Sequence, residues 1–121
     1  MAHEESNLQI VCVRWFRLQY PSLAPLLFSV PNGGRRDRVT GAILKAEGAV
    51  AGVADLLLLV PNTNYHGLCI EMKTPKGRQS SAQKEWQVAV ETMEYKYAVV
   101  RSFEEYRDLI REYFGAGSTR I

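Results

Sequence analysis

The sequence predicts an α/β fold in which helices flank a mixed central β-sheet. Helical and strand-like segments alternate along the chain, and two neighbouring apolar runs joined by turn residues predict a hairpin at its centre. The 121 residues are 46% hydrophobic and 23% charged, which is the balance of one globular domain with its own core. We therefore predict a single domain over residues 1–115 and a flexible tail over residues 116–121.

Composition excludes several classes of protein. The net charge is only +2, so a nucleic-acid partner would have to meet a local basic patch. The polar N-terminus does not resemble a signal peptide, and we expect neither a membrane association nor an organic cofactor. Cys12 and Cys69 lie in apolar segments without metal-type spacing, which indicates reduced core thiols in a cytoplasmic protein.

Helical periodicity predicts a first helix over residues 4–19, ended by Tyr20 because the residue before a proline avoids the helical region. Its expected apolar face comprises Leu8, Val11, Trp15 and Leu18, with Cys12 and Phe16 beside it. Glu4 and Glu5 lie in the first turn. They either complement the helix dipole or supply one ligand to a metal site, and Glu5 is the better placed because it lies on the Leu8 side.

A short strand is predicted over residues 26–30, before a turn at residues 31–34 (PNGG). Arg35, Arg36 and Arg38 follow, and a helix is expected from residue 37 or 38 to residue 46. The arginines are either a solvated loop or a phosphate-binding group, and the second interpretation gains weight only beside an acidic metal site.

The central hairpin comprises a strand that begins near Asp55 and a partner strand over residues 67–72. After it, a Ser80-x-x-Gln83 capping box opens a helix that extends to about residue 93. Residues 95–101 predict another strand, and Ser102-x-x-Glu105 opens a last helix to about residue 114. The expected apolar face of the helix after Ser80 comprises Trp86, Ala89, Val90 and Met93.

The charged residues at the ends of the two hairpin strands suit a metal site. Glu71 and Lys73 point to the same face of their strand, and the hairpin brings Asp55 beside Glu71. Two carboxylates, with the backbone carbonyl of Met72, suit Mg²⁺, for which Mn²⁺ substitutes. Lys73 either activates the attacking water or stabilises the transition-state charge. E-x-K alone is a weak signal whose ordinary explanation is a surface ion pair; combined with Asp55 it becomes informative.

The pattern Asp55…Glu71-x-Lys73 resembles the motif of the PD-(D/E)xK nuclease superfamily. Within it, the chain resembles the virus-type replication-repair nuclease (VRR-NUC) domain. The segments that carry the resemblance are residues 31–34 (PNGG), 52–55 (GVAD), 70–74 (IEMKT), 77–78 (GR), 80–83 (SSAQ) and 99–102 (VVRS). It spans nearly the whole chain.

The resemblance implies a restriction-endonuclease-like three-layer core and a metal-dependent phosphodiesterase. Asp55 and Glu71 match the metal ligands, Lys73 the catalytic lysine, and Gln83 a glutamine that positions substrate or water. The first-helix acid of the family maps to Glu4 or Glu5. The chain departs from the pattern where Ala54 replaces a proline, a residue that shapes backbone and does not bind metal.

Stand-alone members of this family resemble enzymes of bacteria or phage-infected cells that cut branched DNA as homodimers. The resemblance therefore implies a homodimeric endonuclease for branched DNA such as four-way (Holliday) junctions. The alternatives are a nuclease of flap, exonuclease or restriction-like specificity, and a non-catalytic nucleic-acid-binding module. The expected DNA contacts are Asn32, Arg35, Arg36, Arg38, Lys76, Arg78 and Lys84.

Overall fold

The computed structural model describes residues 3–31 and 38–115. The predicted helices and strands are present in the predicted order. The elements are α1 (Glu4–Gln19), a 3₁₀ helix (Pro21–Leu26), β1 (Leu27–Ser29), α2 (Arg38–Ala46), β2 (Leu56–Leu58), β3 (Leu68–Met72), α3 (Ser81–Thr92), β4 (Lys96–Val100) and α4 (Phe103–Gly115).

The four strands form one mixed sheet in the order β1-β2-β3-β4. β1 pairs antiparallel with β2, and β2 pairs antiparallel with β3. β4 runs parallel to β3, and the chain crosses between them through α3. Every residue of β3 is buried, as expected of a central strand covered on both faces. The mixed sheet predicted from the sequence is confirmed.

The helices cover the two faces of the sheet and make a three-layer α/β/α arrangement. α1 and α4 pack together over one face, where alternate residues of the central strands, such as Leu56, Ile70 and Met72, join a large apolar core. α3 covers the other face over a smaller cluster that contains Cys69 and Tyr97. Because strand side chains alternate, Glu71 points to the α3 face, opposite its neighbours Ile70 and Met72.

The buried stripe of α1 differs from the predicted one. Cys12 and Phe16 are fully buried, whereas Val11 is 49% and Leu18 is 74% exposed. The apolar residues of this helix form two overlapping stripes, and the sheet and α4 accept the one that contains Leu8, Cys12 and Phe16. The other stripe remains at the surface, because the sequence has more apolar positions than one helix face can bury.

The buried face of α3 also differs from prediction. Trp86 and Val90 pack against the smaller apolar cluster as predicted, but Ala89 is exposed and Met93 is 65% exposed. Polar residues take the remaining positions on this face, because α3 covers the carboxylate of Glu71 as well as apolar strand residues.

Ser102 caps α4 only partly in the predicted way. Its hydroxyl accepts the N–H of Glu105 at 3.1 Å. The Glu105 carboxylate accepts the N–H of Arg101 at 2.7 Å, so the reciprocal bond of a full capping box is made one residue earlier than predicted.

Both cysteines are buried free thiols, as predicted. Burial raises the pKa of Cys12 to about 12 and that of Cys69 to about 11, so both remain protonated at neutral pH. No helix among the described residues is both long and apolar enough to span a bilayer.

Candidate active site

The strand register places Asp55 opposite Glu71. Leu56 pairs with Ile70, so one step along the antiparallel ladder brings Asp55 across from Glu71. The Asp55 carboxylate Oδ2 accepts the backbone N–H of Met72 at 2.7 Å, which fixes it against the end of β3. The hairpin therefore brings together the two acids that the sequence selects.

Glu71 is a buried acid that the fold holds at an energetic cost. Its side chain is only 3% exposed. Burial raises its pKa from 4.5 to about 8, and the neighbouring charge of Asp55 adds to the shift while Lys73 opposes it. A carboxyl group at the end of a core strand with a second acid beside it indicates a functional site better than it indicates a stabilising contact.

Gln83 holds Glu71 from the α3 side. Its amide Nε2 donates to Glu71 Oε2 at 2.8 Å, and its Oε1 accepts the N–H of Ser80 at 2.8 Å. Ser80 Oγ in turn accepts the N–H of Gln83, completing the predicted capping box. One glutamine thus both starts the helix and orients the buried carboxylate; its predicted role in positioning substrate or water stays a prediction.

Gly52 allows the first turn of α3 to approach the strand that carries Asp55. It has a φ of +86°, and a Cβ atom at this position would overlap the backbone carbonyl of Ala82. Only glycine meets both conditions without strain.

We expect Gly52→Ala to destabilise the protein by roughly 2–4 kcal/mol, because backbone strain and overlap with the Ala82 backbone add together. Chemical denaturation measures this loss. Gly48→Ala is the matched control, since Gly48 also has a positive φ, of +111°, but open space around it. Equal losses in the two variants would show that the close approach contributes nothing.

Lys73 lies on the same face as Glu71. Its Nζ is 3.8 Å from Glu71 Oε2, and its side chain is 12% exposed. Its backbone N–H donates to Val100 O at 3.0 Å, which extends the pairing of β3 with β4 to this position. The ammonium group is therefore held beside the carboxylate pair by the sheet itself.

Tyr97 is a member of the site whose role the sequence did not predict. It is 7% exposed, and its hydroxyl is 3.4 Å from Glu71 Oε1 and accepts from Gln79 Nε2 at 3.2 Å. Burial raises its pKa to about 12, so it remains a neutral hydrogen-bond donor. The sequence signal that could have found this residue is the alternation of residues 95–101. The register pairs Val99 with Glu71, and Tyr97, two residues before Val99, points to the same face of the sheet.

Arg101 anchors the loop after Lys73, a role that the sequence also left unassigned. Its guanidinium donates to the carbonyls of Thr74 and Gly77, each at 2.7 Å. One guanidinium nitrogen, Nη1, thus ties two carbonyls of the loop to the end of β4. The loop therefore leaves Lys73 in a defined direction.

Of the two first-turn acids, Glu5 faces the site. It is half-buried, lines a groove together with Asp55, and its charge contributes to the raised pKa of Glu71. Glu4 is exposed. Within residues 3–31 and 38–115, no cluster of three His, Cys, Asp or Glu side chains is close enough to hold a metal ion, so Glu5 stands near the pair without converging on it.

The predicted DNA contacts divide into two groups. Lys76, Arg78 and Lys84 are exposed, on the loop after Lys73 and on α3. The others fall in the part of the chain that the structure leaves undescribed: Asn32, Arg35 and Arg36 lie outside the described residues, as does the side chain of Arg38 at the start of α2.

The donor set around Asp55 and Glu71 fits a hard divalent cation. Two carboxylates and a main-chain oxygen leave room for the several waters that Mg²⁺ retains in proteins. A cation there would also favour the charged form of Glu71, whose pKa is raised by burial and by the neighbouring Asp55. The residues that would hold it are Asp55, Glu71 and the Met72 carbonyl, with Glu5 at the rim.

A three-layer α/β fold that holds two carboxylates and a lysine at the ends of adjacent strands is a fold of the nuclease type. The chain belongs to the VRR-NUC domain family, whose sequence profile matches residues 3–104. A solved structure described as a VRR_NUC domain protein is similar over 94% of this chain and 90% of that chain, with a TM-score of 0.82 and 25% sequence identity. No curated protein matches the chain in sequence.

Proposed function

We propose that this chain is a metal-dependent DNA endonuclease that hydrolyses phosphodiester bonds and selects branched DNA such as four-way junctions. The observation that carries the proposal is the placement of Asp55 opposite Glu71, with Lys73 on the same face. Membership of the VRR-NUC family supports the nuclease class. Branch selectivity extends that class and follows from the resemblance to stand-alone family members.

Each residue has a defined task in the proposed reaction. Mg²⁺ or Mn²⁺ held by Asp55, Glu71 and the Met72 carbonyl would supply positive charge and lower the pKa of water. Gln83 and Tyr97 each hold one oxygen of the Glu71 carboxylate, so this carboxylate needs little reorganisation to bind the cation. Lys73 presents its ammonium group to the same space, where it either orients the water or stabilises the developing negative charge.

A non-catalytic DNA-binding role is less well supported. Keeping Glu71 buried beside Asp55 raises its pKa and lowers the stability of the folded protein. A module that only binds DNA gains nothing from a negative pair that repels phosphate. The retained acids therefore favour catalysis.

The proposal is tested by cleavage of a four-way junction, compared with duplex, flap and single-stranded DNA, in Mg²⁺, Mn²⁺ and EDTA. We expect cleavage only with metal and preferential cutting of branched substrates. Asp55→Asn is the inactive control, since it removes the charge and keeps the shape. If the wild-type protein cuts none of these substrates, the enzymatic proposal is wrong, and equal cutting of linear duplex would reject branch selectivity.

The proposed homodimer is supported by an apolar surface on and after α2. Ile43 in α2 is 52% exposed, and Val50 in the loop after it is 56% exposed. Within the described part of the chain, α2 packs only sparsely against the other helices and strands. An amphipathic helix gains stability mainly by packing its apolar face, and a second copy offers such a face.

We expect Ile43→Asp to shift the protein from dimer to monomer, because a desolvated carboxylate opposes burial of this face. Sedimentation velocity measures the change. Val88→Asp is the matched control, since Val88 is 63% exposed on a different helix, α3. A wild-type monomer at micromolar concentration would contradict the dimer.

A further inference from the structure

Three polar side chains lie in a row between α3 and the sheet, and the row ends at the Glu71 carboxylate. Gln79, in the loop before α3, donates from Nε2 to Gln87 Oε1 at 2.9 Å and to the Tyr97 hydroxyl at 3.2 Å. That hydroxyl lies 3.4 Å from Glu71 Oε1. Gln79 and Gln87 are half-buried and Tyr97 is buried. We call Tyr97, Gln79 and Gln87 the Tyr97 network.

A carboxylate at each end sets the direction of the hydrogen bonds in this network. Gln87 Nε2 donates to Glu91 Oε2 at 3.1 Å, so the amide oxygen of Gln87 faces Gln79. Gln79 therefore presents its amide nitrogen, which only donates, to the Tyr97 hydroxyl. A hydroxyl that accepts on one side keeps its own proton for Glu71, whose charged carboxylate only accepts. The network thus directs a donor at Glu71 Oε1.

The two oxygens of Glu71 are held by donors from different elements. Gln83 on α3 donates to Oε2 at 2.8 Å, and Tyr97 on β4 meets Oε1. Two such donors restrict rotation of the carboxylate. They leave room for a cation, since an ionised carboxylate has about four lone-pair sites and only two are used. A hydroxyl that accepts from an amide is also a better donor, because successive hydrogen bonds polarise one another.

We propose that Tyr97 and Gln79 are positioning residues for metal binding. Gln79 orients the Tyr97 hydroxyl, and the hydroxyl holds Glu71 in the orientation that accepts a divalent cation. Both residues act through Glu71 and not on the DNA. The proposal rests on the proposed nuclease function, since the cation is the one that the acid pair would hold.

The alternative is a purely structural role, in which the network only fastens α3 to the sheet. The ring of Tyr97 packs near that of Trp86 on α3, with 6.2 Å between the ring centroids. Packing of this kind needs the ring, and a phenylalanine would fill the same space. The hydroxyl is needed only if its contact with Glu71 matters, so the two roles differ in what loss of the hydroxyl does to metal binding.

Titration of the whole, metal-free chain with Mn²⁺ tests the proposal in the absence of DNA. The electron paramagnetic resonance signal of free Mn²⁺ falls as the ion binds, which gives the dissociation constant. The variants are Tyr97→Phe, Gln79→Leu and the double variant. Tyr95→Phe is the matched control, since Tyr95 packs in the same apolar cluster but beside Gly67, at the far end of β3 from Glu71.

We expect Tyr97→Phe to weaken Mn²⁺ binding by about tenfold, the lower end for losing a partner of a metal ligand, because the 3.4 Å contact is long. Gln79→Leu should weaken it by about threefold, the effect of one modest hydrogen bond. In the Tyr97→Phe background, Gln79→Leu should cost nothing further, since Gln79 acts only through the hydroxyl. Tyr95→Phe should bind Mn²⁺ as the wild type does.

Three results would overturn the proposal: no binding of Mn²⁺ by the wild type, unchanged binding by Tyr97→Phe, and full addition of the two single losses in the double variant. A Tyr97→Phe variant that is less stable in EDTA but binds Mn²⁺ normally would identify the structural role. None of these results depends on cleavage. If the variants bind Mn²⁺ as expected but the wild type cuts no DNA, only the proposed function is lost. If the wild type cuts and the variants bind normally, only this inference is lost.

Discussion

Glu71→Gln is expected to abolish DNA cleavage and at the same time to stabilise the metal-free protein. Glu71 is a buried ligand candidate whose pKa is raised to about 8 by burial and by Asp55. Glutamine keeps the shape and accepts from Gln83, but it carries no charge for a cation to meet. We expect the rate to fall by roughly a thousandfold or more, the equivalent of several kcal/mol of lost charge stabilisation.

The stability gain has a defined dependence on pH. The folded-state pKa of Glu71 lies above its ordinary value of 4.5, so the folded protein binds more protons than the unfolded chain between about 4.5 and 8. The stability that this proton binding contributes is fully present below pH 4.5 and is lost as pH rises toward 8. The variant lacks this loss, so the two proteins should be equally stable near pH 4.5, and the variant should be more stable by roughly 1–3 kcal/mol at neutral pH.

Denaturation at several pH values in EDTA, with and without added Mg²⁺, measures this effect. Mg²⁺ should raise the melting temperature of the wild type and leave that of Glu71→Gln unchanged, because a ligand stabilises only the state that binds it. Glu85→Gln is the matched control, since Glu85 is an exposed acid on α3. If the variant is less stable than the wild type at neutral pH, then burial of the charged Glu71 carboxylate does not destabilise the folded protein, and this account of Glu71 is wrong.

Lys73→Ala is expected to reduce cleavage by about 10²–10⁴-fold without unfolding the protein, the range for removing a group that acts in proton transfer or on developing charge. The reason is its position, with Nζ 3.8 Å from Glu71 Oε2 and the side chain only 12% exposed. Arg111→Ala is the matched control, because Arg111 is an exposed cation on α4 and is not among the expected DNA contacts. Single-turnover cleavage of a four-way junction gives the rates, and far-ultraviolet circular dichroism checks the fold.

Lys73→Arg separates the two roles of this lysine. Arginine keeps the positive charge but does not lose a proton in proteins. If Lys73 stabilises charge, the arginine variant should retain much more activity than the alanine variant. If it deprotonates water, both should be equally inactive. Cleavage by Lys73→Ala at the wild-type rate would remove Lys73 from the mechanism.

Only some of the residues that build this site can be predicted from the sequence. Glu71 and Lys73 are visible because charge at the end of an apolar strand needs an explanation, and Gln83 is visible because it also completes a capping box. Tyr97 and Arg101 are not, because their partners lie far away in the chain. Tyr97 reaches Glu71 across 26 residues, and Arg101 reaches Gly77 across 24.

Periodicity, turns and caps are local properties of the chain, so they were enough to predict the order of helices and strands and the hairpin that pairs Asp55 with Glu71. The motif that this hairpin carries was enough to predict the family. Tertiary structure alone decided which stripe of α1 is buried, that Glu5 and not Glu4 faces the acid pair, and that Tyr97 supports Glu71. The physical reason is that a face or a side-chain partner is chosen by whatever packs against it, and packing depends on contacts between distant segments.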